Sequence, residues 1–298
     1  MNSTHGRNGI ARSASPELGK AIILNAGQGR RLLPFTTEVP KCLLPVDGRH
    51  TILELQLRTL AHCGIQRVAL VVGFGAEKVV QFLATHPSPD LEITTRYNPF
   101  FKTTNNLISC WMAIPEMTED FLLLNGDTLF TSAILRRVLS APVAPVTLAI
   151  DRKREYDEDD MKVTLSGGRQ LRAVGKSLDP ASVHGESIGL MAFRGAGITI
   201  FRTMLAEAIH NPASLTQWYL TVIDAMARSS LVEVVSIEGL WWTEIDTPDD
   251  LARARAYFDR ERARQEQAGQ LPSTGEDTRT SQQQHSMHRA WALTKHNH

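Results

Sequence analysis

The chain has little of what would tie it to nucleic acid, to lipid or to an oxidising compartment. Lys plus Arg and Asp plus Glu number 32 each, so the formal net charge is zero. With no basic run, such a chain has no general electrostatic hold on polyanions or anionic lipid, and neither a nucleic-acid nor a membrane partner is expected. No apolar stretch reaches the roughly 20 residues needed to span a bilayer. Residues 1–20 are polar and lack the apolar core of a secretory leader. Cysteine is scarce. Cys42, Cys63 and Cys110 lie far apart, which argues against a disulfide framework or a metal cluster and for reduced thiols in a cytoplasmic protein. No internal repeat is visible.

What is present is an alternation of strand and helix signals. The 298 residues suffice for one large α/β domain or two small ones. Aliphatic runs at 21–24, 68–72, 121–124 and 146–150 predict buried strands. Helical patterns fall at 52–63, 76–85, 105–113, 133–139, 198–209, 215–227 and 247–267. The alternation predicts a parallel sheet covered by helices, with ligands at the carboxyl ends of the strands. Between 151 and 194 the pattern shifts to a charged stretch and short β-like pieces, with Gly167-Gly168 as a hairpin turn. That region is expected to be a small β-rich lobe within a catalytic domain over 19–267. Residues 1–18 and 268–298 are expected to be disordered.

The segment 24–41 carries the first chemical signal. A buried strand ends there in Asn25-Ala26-Gly27-Gln28-Gly29-Arg30-Arg31. Gly27 and Gly29 let the backbone approach a ligand, and N–H groups in such a turn can hold phosphate oxygens. Arg30, Arg31 and Lys41 add cations. A dinucleotide-binding turn is the rival, with Asp47 near the spacing of a ribose ligand. Leu32 stands where its third glycine belongs, and Pro34 and Pro40 prevent a regular helix from following. The segment is therefore expected to be a long loop around a phosphate chain. Asn25, Ala26, Gly27, Gln28, Gly29 and Arg30 are its nucleotide-binding candidates.

Gly27, Gly29, Arg31, Leu32, Pro34, Thr36, Pro40 and Lys41 together resemble the signature of the nucleotidyltransferases that activate sugar and alcohol phosphates. Arg30 departs from it, standing where that family carries Thr or Ser. The resemblance covers about residues 20–257 and implies a Rossmann-like α/β fold, a three-layer αβα sandwich with a small β-rich acceptor lobe. It also implies Mg²⁺ as cofactor, with a nucleoside triphosphate and a phosphorylated small molecule as partners. Assembly is left open, a homodimer included. Nucleotidyl transfer needs an acceptor held in line with the α-phosphorus and cations to offset its charge. Arg31 and Lys41 are the expected cations. Asp127, after a strand at Gly126, matches the family's metal position. Glu244 and Asp246, two apart and so on one strand face, lie by Trp242-x-x-x-Asp246-Thr247, which resembles the second. Asp127, Glu244 and Asp246 are the expected metal ligands. Asn125 stands where relatives carry a second acid.

Asn105-Asn106-Leu107-Ile108-Ser109 resembles the phosphocholine cytidylyltransferase branch and favours CTP, since paired amides can read a base edge. A helix cap would use only one of them. Lys162, Lys176 and Glu186 are acceptor-binding candidates, with Asp159 and Asp160 beside them. Asp160 replaces a cage tryptophan of the phosphocholine enzymes, which argues for a polyol, cyclitol or amino-alcohol phosphate; Trp241 and Trp242 are the aromatics nearest Glu244. Gly185-Glu186-Ser187-Ile188-Gly189 matches a hydrolase nucleophile elbow, but the strand-then-helix context is missing. The alternatives are a sugar- or cyclitol-1-phosphate enzyme using GTP, UTP or ATP, and a non-catalytic nucleotide-binding regulator. The presence of Asp127 and Asp246 speaks against the regulator.

Overall fold

A computed structural model describes residues 18–270. The disorder expected for most of 1–18 and 268–298 lies outside the described residues. In chain order the elements are β1 (Lys20–Asn25), α1 (Ile52–His62), β2 (Arg67–Val72), α2 (Ala76–Thr85), β3 (Glu92–Tyr97) and α3 (Asn106–Met112). Then come β4 (Phe121–Asn125), β5 (Thr128–Phe130), α4 (Ser132–Leu139), β6 (Val146–Asp151), β7 (Lys162–Leu165) and β8 (Leu171–Gly175). Last are β9 (Gly185–Phe193), α5 (Ala196–Ala208), α6 (Leu220–Ala227), β10 (Val232–Ser236), β11 (Trp242–Glu244) and α7 (Pro248–Gln270).

A nine-stranded sheet has the order β10-β6-β9-β4-β1-β2-β3, with the β7–β8 hairpin attached through β9. It is mixed, not all-parallel as expected, because β9 runs antiparallel to both β4 and β6. The reason is the connection. After β6 the chain makes the hairpin instead of a crossover helix, and a return without a crossover must be antiparallel. Gly167 and Gly168 turn that hairpin with φ of 73° and 53°, a backbone that glycine adopts without strain.

The central strands are buried on both faces, which is why their sequences are continuous aliphatic runs. On β1, Ile22 and Leu24 join the core under α3, α5 and α6, while Ala21 and Ile23 join the core under α1, α2 and α4. The result is the expected three-layer αβα sandwich. The helix expected over 215–227 starts later, at Leu220, after a short 3₁₀ stretch Pro212–Thr216. The intervening carbonyls are taken: Leu215 O and Gln217 O accept from Asn105 N (2.8 Å) and Leu107 N (3.3 Å) at the start of α3. No helix among the described residues is long and apolar enough to cross a membrane.

The chain divides into two compact units, one ending at Arg255 and one beginning at Ala256, inside α7. The described part of the second is helical to Gln270, with an Arg262–Asp259 ion pair at 2.7 Å and an Arg264–Glu261 pair at 2.5 Å.

Candidate active site

A cavity of about 980 Å³ opens at the carboxyl ends of β1 and β4 in the first unit. The glycine turn forms one wall. Gly29 has φ of 71°, and a Cβ there would lie 3.0 Å from Lys41 Cδ. Glycine thus lets the lysine stem lie across the turn. The buried Thr36 hydroxyl donates to Gly29 O at 2.8 Å, folding the loop back on itself. Pro40 is fixed against Gly75, where a Cβ would approach to 2.5 Å. The regular helix is absent as expected, replaced by 3₁₀ turns at Arg30–Leu32 and Lys41–Leu43. Gly27 faces open space, since a Cβ there would touch nothing within 4 Å. Asn25, Gly27, Gly29, Arg30, Arg31 and Lys41 line the cavity. Ala26 and Gln28 are not among its lining residues. Ala26 is buried and its carbonyl accepts from Phe74 N at 3.0 Å, so strand-end packing absorbs it.

Gly126 lines the cavity as well, but its lack of a side chain serves Asn25. A Cβ at Gly126 would fall 1.6 Å from Asn25 Oδ1. Asn25 Nδ2 is buried without a partner among the described residues. Asn125 turns to the protein, where its Oδ1 accepts from the Tyr219 hydroxyl at 3.2 Å.

The carboxylates meet through a two-stranded ribbon. β5 pairs antiparallel with β11, Thr128 opposite Glu244, and Ile245 N donates to Asp127 O at 3.0 Å. Residues more than a hundred apart in sequence, Asp127 and Asp246, thereby flank one ammonium. Lys41 Nζ donates to Asp127 Oδ2 at 2.8 Å and to Asp246 Oδ1 at 2.6 Å. Burial alone would lower the Lys41 pKa, but the two carboxylates outweigh it and hold it above its ordinary value. Glu244 is pushed up to about 8, first by burial and then by the charges of Asp127 and Asp246. Among the described residues no three His, Cys, Asp or Glu side chains come together as a metal cage. All three expected acids line the cavity, Asp127 and Asp246 as the pair that shares the Lys41 ammonium. That pair fits magnesium, which takes one or two protein carboxylates and keeps its other ligands from phosphate and water. Asp127 Oδ1 is buried with no protein partner, an acceptor left over for such an ion.

Two further groups of charges line the cavity. Arg31 Nη2 donates to Asp246 Oδ2 at 2.7 Å, and its Nη1 to Asp159 Oδ2 at 2.7 Å. Lys176 Nζ donates to Asp159 Oδ1 at 2.9 Å and sits 4.8 Å from the Trp218 ring centroid. Lys153 pairs with Asp160 at 2.7 Å and with Glu186 at 3.0 Å. Burial and the hydrogen bond with Asp160 push Glu186 up to about 8. Burial also works to raise Asp160, but hydrogen bonds from Lys153 and Glu186 prevail and hold it below the usual range. Trp242 lines the cavity with its indole N–H on Asp151 at 2.7 Å.

Lys162 is not at this surface. It is 5% exposed, and its ammonium donates to the carbonyls of Asp157 and, at 3.1 Å, Lys176. The expectation that it grips the acceptor is corrected: it ties together two segments that carry other site residues. The asparagines are also more engaged than expected. Asn105 Oδ1 caps α3 through Asn106 N at 2.8 Å, and Asn106 Oδ1 accepts from Tyr219 N at 3.0 Å. Both still line the cavity, and no protein partner among the described residues takes Asn106 Nδ2. The Gly185–Gly189 motif lies inside β9, with Ser187 buried and its Oγ accepting from Gly189 N at 3.3 Å, so no nucleophile elbow exists. Lys153 and Trp218 went unnoticed in the sequence, where a lysine in a charged run and a tryptophan before a helix carry no distinguishing spacing.

The sequence model of the MobA-like NTP transferase domain matches residues 21–217. The chain is 32% identical over 255 residues to the CMP-5'-(3-aminopropyl)phosphonate synthase of Streptomyces rubellomurinus, across 83% of this chain and 40% of that protein. It is 28% identical over 241 residues to the bifunctional IPC transferase and DIPP synthase of Aquifex aeolicus, across 80% and 51%. The chain thus spans about half or less of the length of these two relatives. The CTP:phosphoglutamine cytidylyltransferase of Campylobacter jejuni is 22% identical over 252 residues, across 78% of this chain and 97% of its own length. The inositol-1-phosphate CTP transferase from T. maritima superposes with a TM-score of 0.66 at 22% identity, over 82% of this chain and 97% of that one. At that identity the likeness is one of fold.

Proposed function

Because the chain belongs to the MobA-like NTP transferase family, we propose that it transfers CMP from CTP to a small phosphorylated alcohol or a phosphonate, releasing pyrophosphate. The observation that carries this reading is Lys41 Nζ held between Asp127 and Asp246, beside the open face of the Gly27 turn. An oxygen of the acceptor's phosphate or phosphonate attacks the α-phosphorus. The bond from that phosphorus to the bridging oxygen of the β-phosphate breaks, and pyrophosphate leaves. Arg31 and Lys41 offset the charge of triphosphate and leaving group, where preorganised cations favour the transition state over the ground state. The backbone at Gly27 and Gly29 lies along the phosphates. Asp127 and Asp246 would hold Mg²⁺, which supplies charge stabilisation worth several kcal/mol when bound.

CTP is favoured by the names of the Streptomyces and Campylobacter relatives, with Asn106 as the amide available to the base. The acceptor is assigned to the lobe over 151–194, where Lys176 meets its anionic group and Glu186, with Lys153 and Asp160, meets its polar end. A CTP-dependent reaction of this kind fits a cytoplasmic enzyme. The test is pyrophosphate release with each of the four common NTPs and Mg²⁺, using 3-aminopropylphosphonate, phosphocholine and a cyclitol phosphate as acceptors. CTP-specific release is expected. Preference for GTP, UTP or ATP overturns the base assignment, and no release with any pair overturns the reaction.

A further inference from the structure

Every cavity-lining lysine is already engaged by a carboxylate: Lys41 by Asp127 and Asp246, Lys153 by Asp160 and Glu186, Lys176 by Asp159. Arg31 joins two of these groups, so that Asp127, Lys41, Asp246, Arg31, Asp159 and Lys176 form one chain of alternating charge across the cleft. Asp159 belongs to the loop between β6 and β7, and its side chain is 67% exposed. We propose that Asp159 is an internal anion occupying a phosphate position between Arg31 and Lys176, from which the phosphate or phosphonate group of a substrate must displace it. This rests on the reading of the cleft as a site for CTP and a phosphorylated acceptor.

The geometry carries the inference. Asp159 gives one oxygen to Arg31 at 2.7 Å and the other to Lys176 at 2.9 Å. Two oxygens on one centre, each on a different cation, is the pattern by which a tetrahedral oxyanion would be held. The two cations come from different segments, the glycine turn and the end of β8, so their shared partner also fastens the acceptor lobe to the nucleotide wall. The loop is shaped to present this carboxylate. Asp157 Oδ1 accepts from the backbone N–H of Asp159 (2.9 Å) and Asp160 (3.1 Å), leaving the Asp159 side chain free to reach over. Lys176 holds the Asp159 carboxyl below its usual range, so it is anionic wherever the cleft cations are charged. Being largely exposed, the pair is weak, and a phosphate dianion with more charge and more acceptor oxygens displaces it easily. A carboxylate placed so competes with substrate without blocking it.

The test is isothermal titration of inorganic pyrophosphate into five proteins: wild type, Asp159→Asn, Glu158→Gln, Lys176→Met, and Asp159→Asn combined with Lys176→Met. Circular dichroism first establishes that each is folded. Asp159→Asn is expected to tighten binding about two- to five-fold, the range of an exposed ion pair. Glu158→Gln, at the exposed neighbour, is expected to leave affinity unchanged. In the Lys176→Met background the gain from Asp159→Asn is expected to shrink, because one of the two cations it releases is gone. Equal or weaker binding by Asp159→Asn overturns the inference while leaving the proposed reaction standing. Failure of wild type and every variant to bind pyrophosphate overturns both.

Discussion

Lys162 gives the sharpest separation between a residue that touches substrate and one that positions others. Its ammonium is buried at the start of β7 and donates to two carbonyls, at Asp157 and Lys176. The first lies two residues before Asp159, and the second belongs to the lysine that Asp159 engages. Lys162→Met keeps the stem and the volume and removes only the donor. Hydrogen bonds from a charged group contribute about 1.5–3 kcal/mol each. Against that, the variant no longer buries an ammonium, which costs several kcal/mol, and the carbonyl of the exposed Asp157 can bind water instead. The net loss is about 1–2 kcal/mol. In a domain of this size about 2–4 °C of melting temperature follows each kcal/mol, so Tm is expected to fall by about 2–8 °C. Calorimetry reads the stability and isothermal titration reads the ligands. Acceptor affinity should weaken more than CTP affinity, because the lobe loosens while the glycine turn does not. An unchanged Tm with complete loss of acceptor binding would refute this reasoning and return Lys162 to the acceptor.

Three other outcomes follow from the geometry. Asp127→Asn should lower turnover at least about 100-fold, the scale of losing a preorganised charge at the reacting centre, with the circular dichroism spectrum retained; near-wild-type kcat would remove Asp127 from the chemistry. Gly126→Ala should be severely destabilising, because its methyl group would fall 1.6 Å from Asn25 Oδ1 with Leu24 O only 2.7 Å away, and a urea midpoint equal to wild type would contradict the packing. Glu186 binds its proton more tightly in the folded chain than in the unfolded one, its pKa being raised to about 8. Its contribution to stability is therefore fully present below the ordinary carboxylate pKa and is lost as pH rises toward 8. Urea titrations at pH 5.5, 7 and 8.5 should show that decline in wild type, and Glu186→Gln should flatten it; an unchanged slope would mean the buried acid is already ionised.

Much of the fold was legible because its cause is local. Strands covered on both faces must be aliphatic throughout, and helices with one covered face must repeat every three to four residues. These patterns located β1, β2, β4, β6 and α2 closely. The glycine turn was legible for a different reason. Gly29 at positive φ, Pro40 against Gly75 and the Lys41 stem over Gly29 each require their residue type on steric grounds, so the spacing survives as a motif. The direction of β9 was not legible, because apolar strand patterns are the same in either direction. Nor was the fate of Lys162, since a lysine at a strand start looks alike in sequence whether its amine meets a ligand or two carbonyls.

The amino-acid order by itself determined a layered α/β sandwich and a phosphate-approachable turn, since steric fit, burial and charge type act over a few residues. Only the tertiary structure decided which charges share a partner. Electrostatic pairing depends on distance in space, and the β5–β11 ribbon and the loop before β7 bring Asp246 and Asp159 to Arg31 from 215 and 128 residues away.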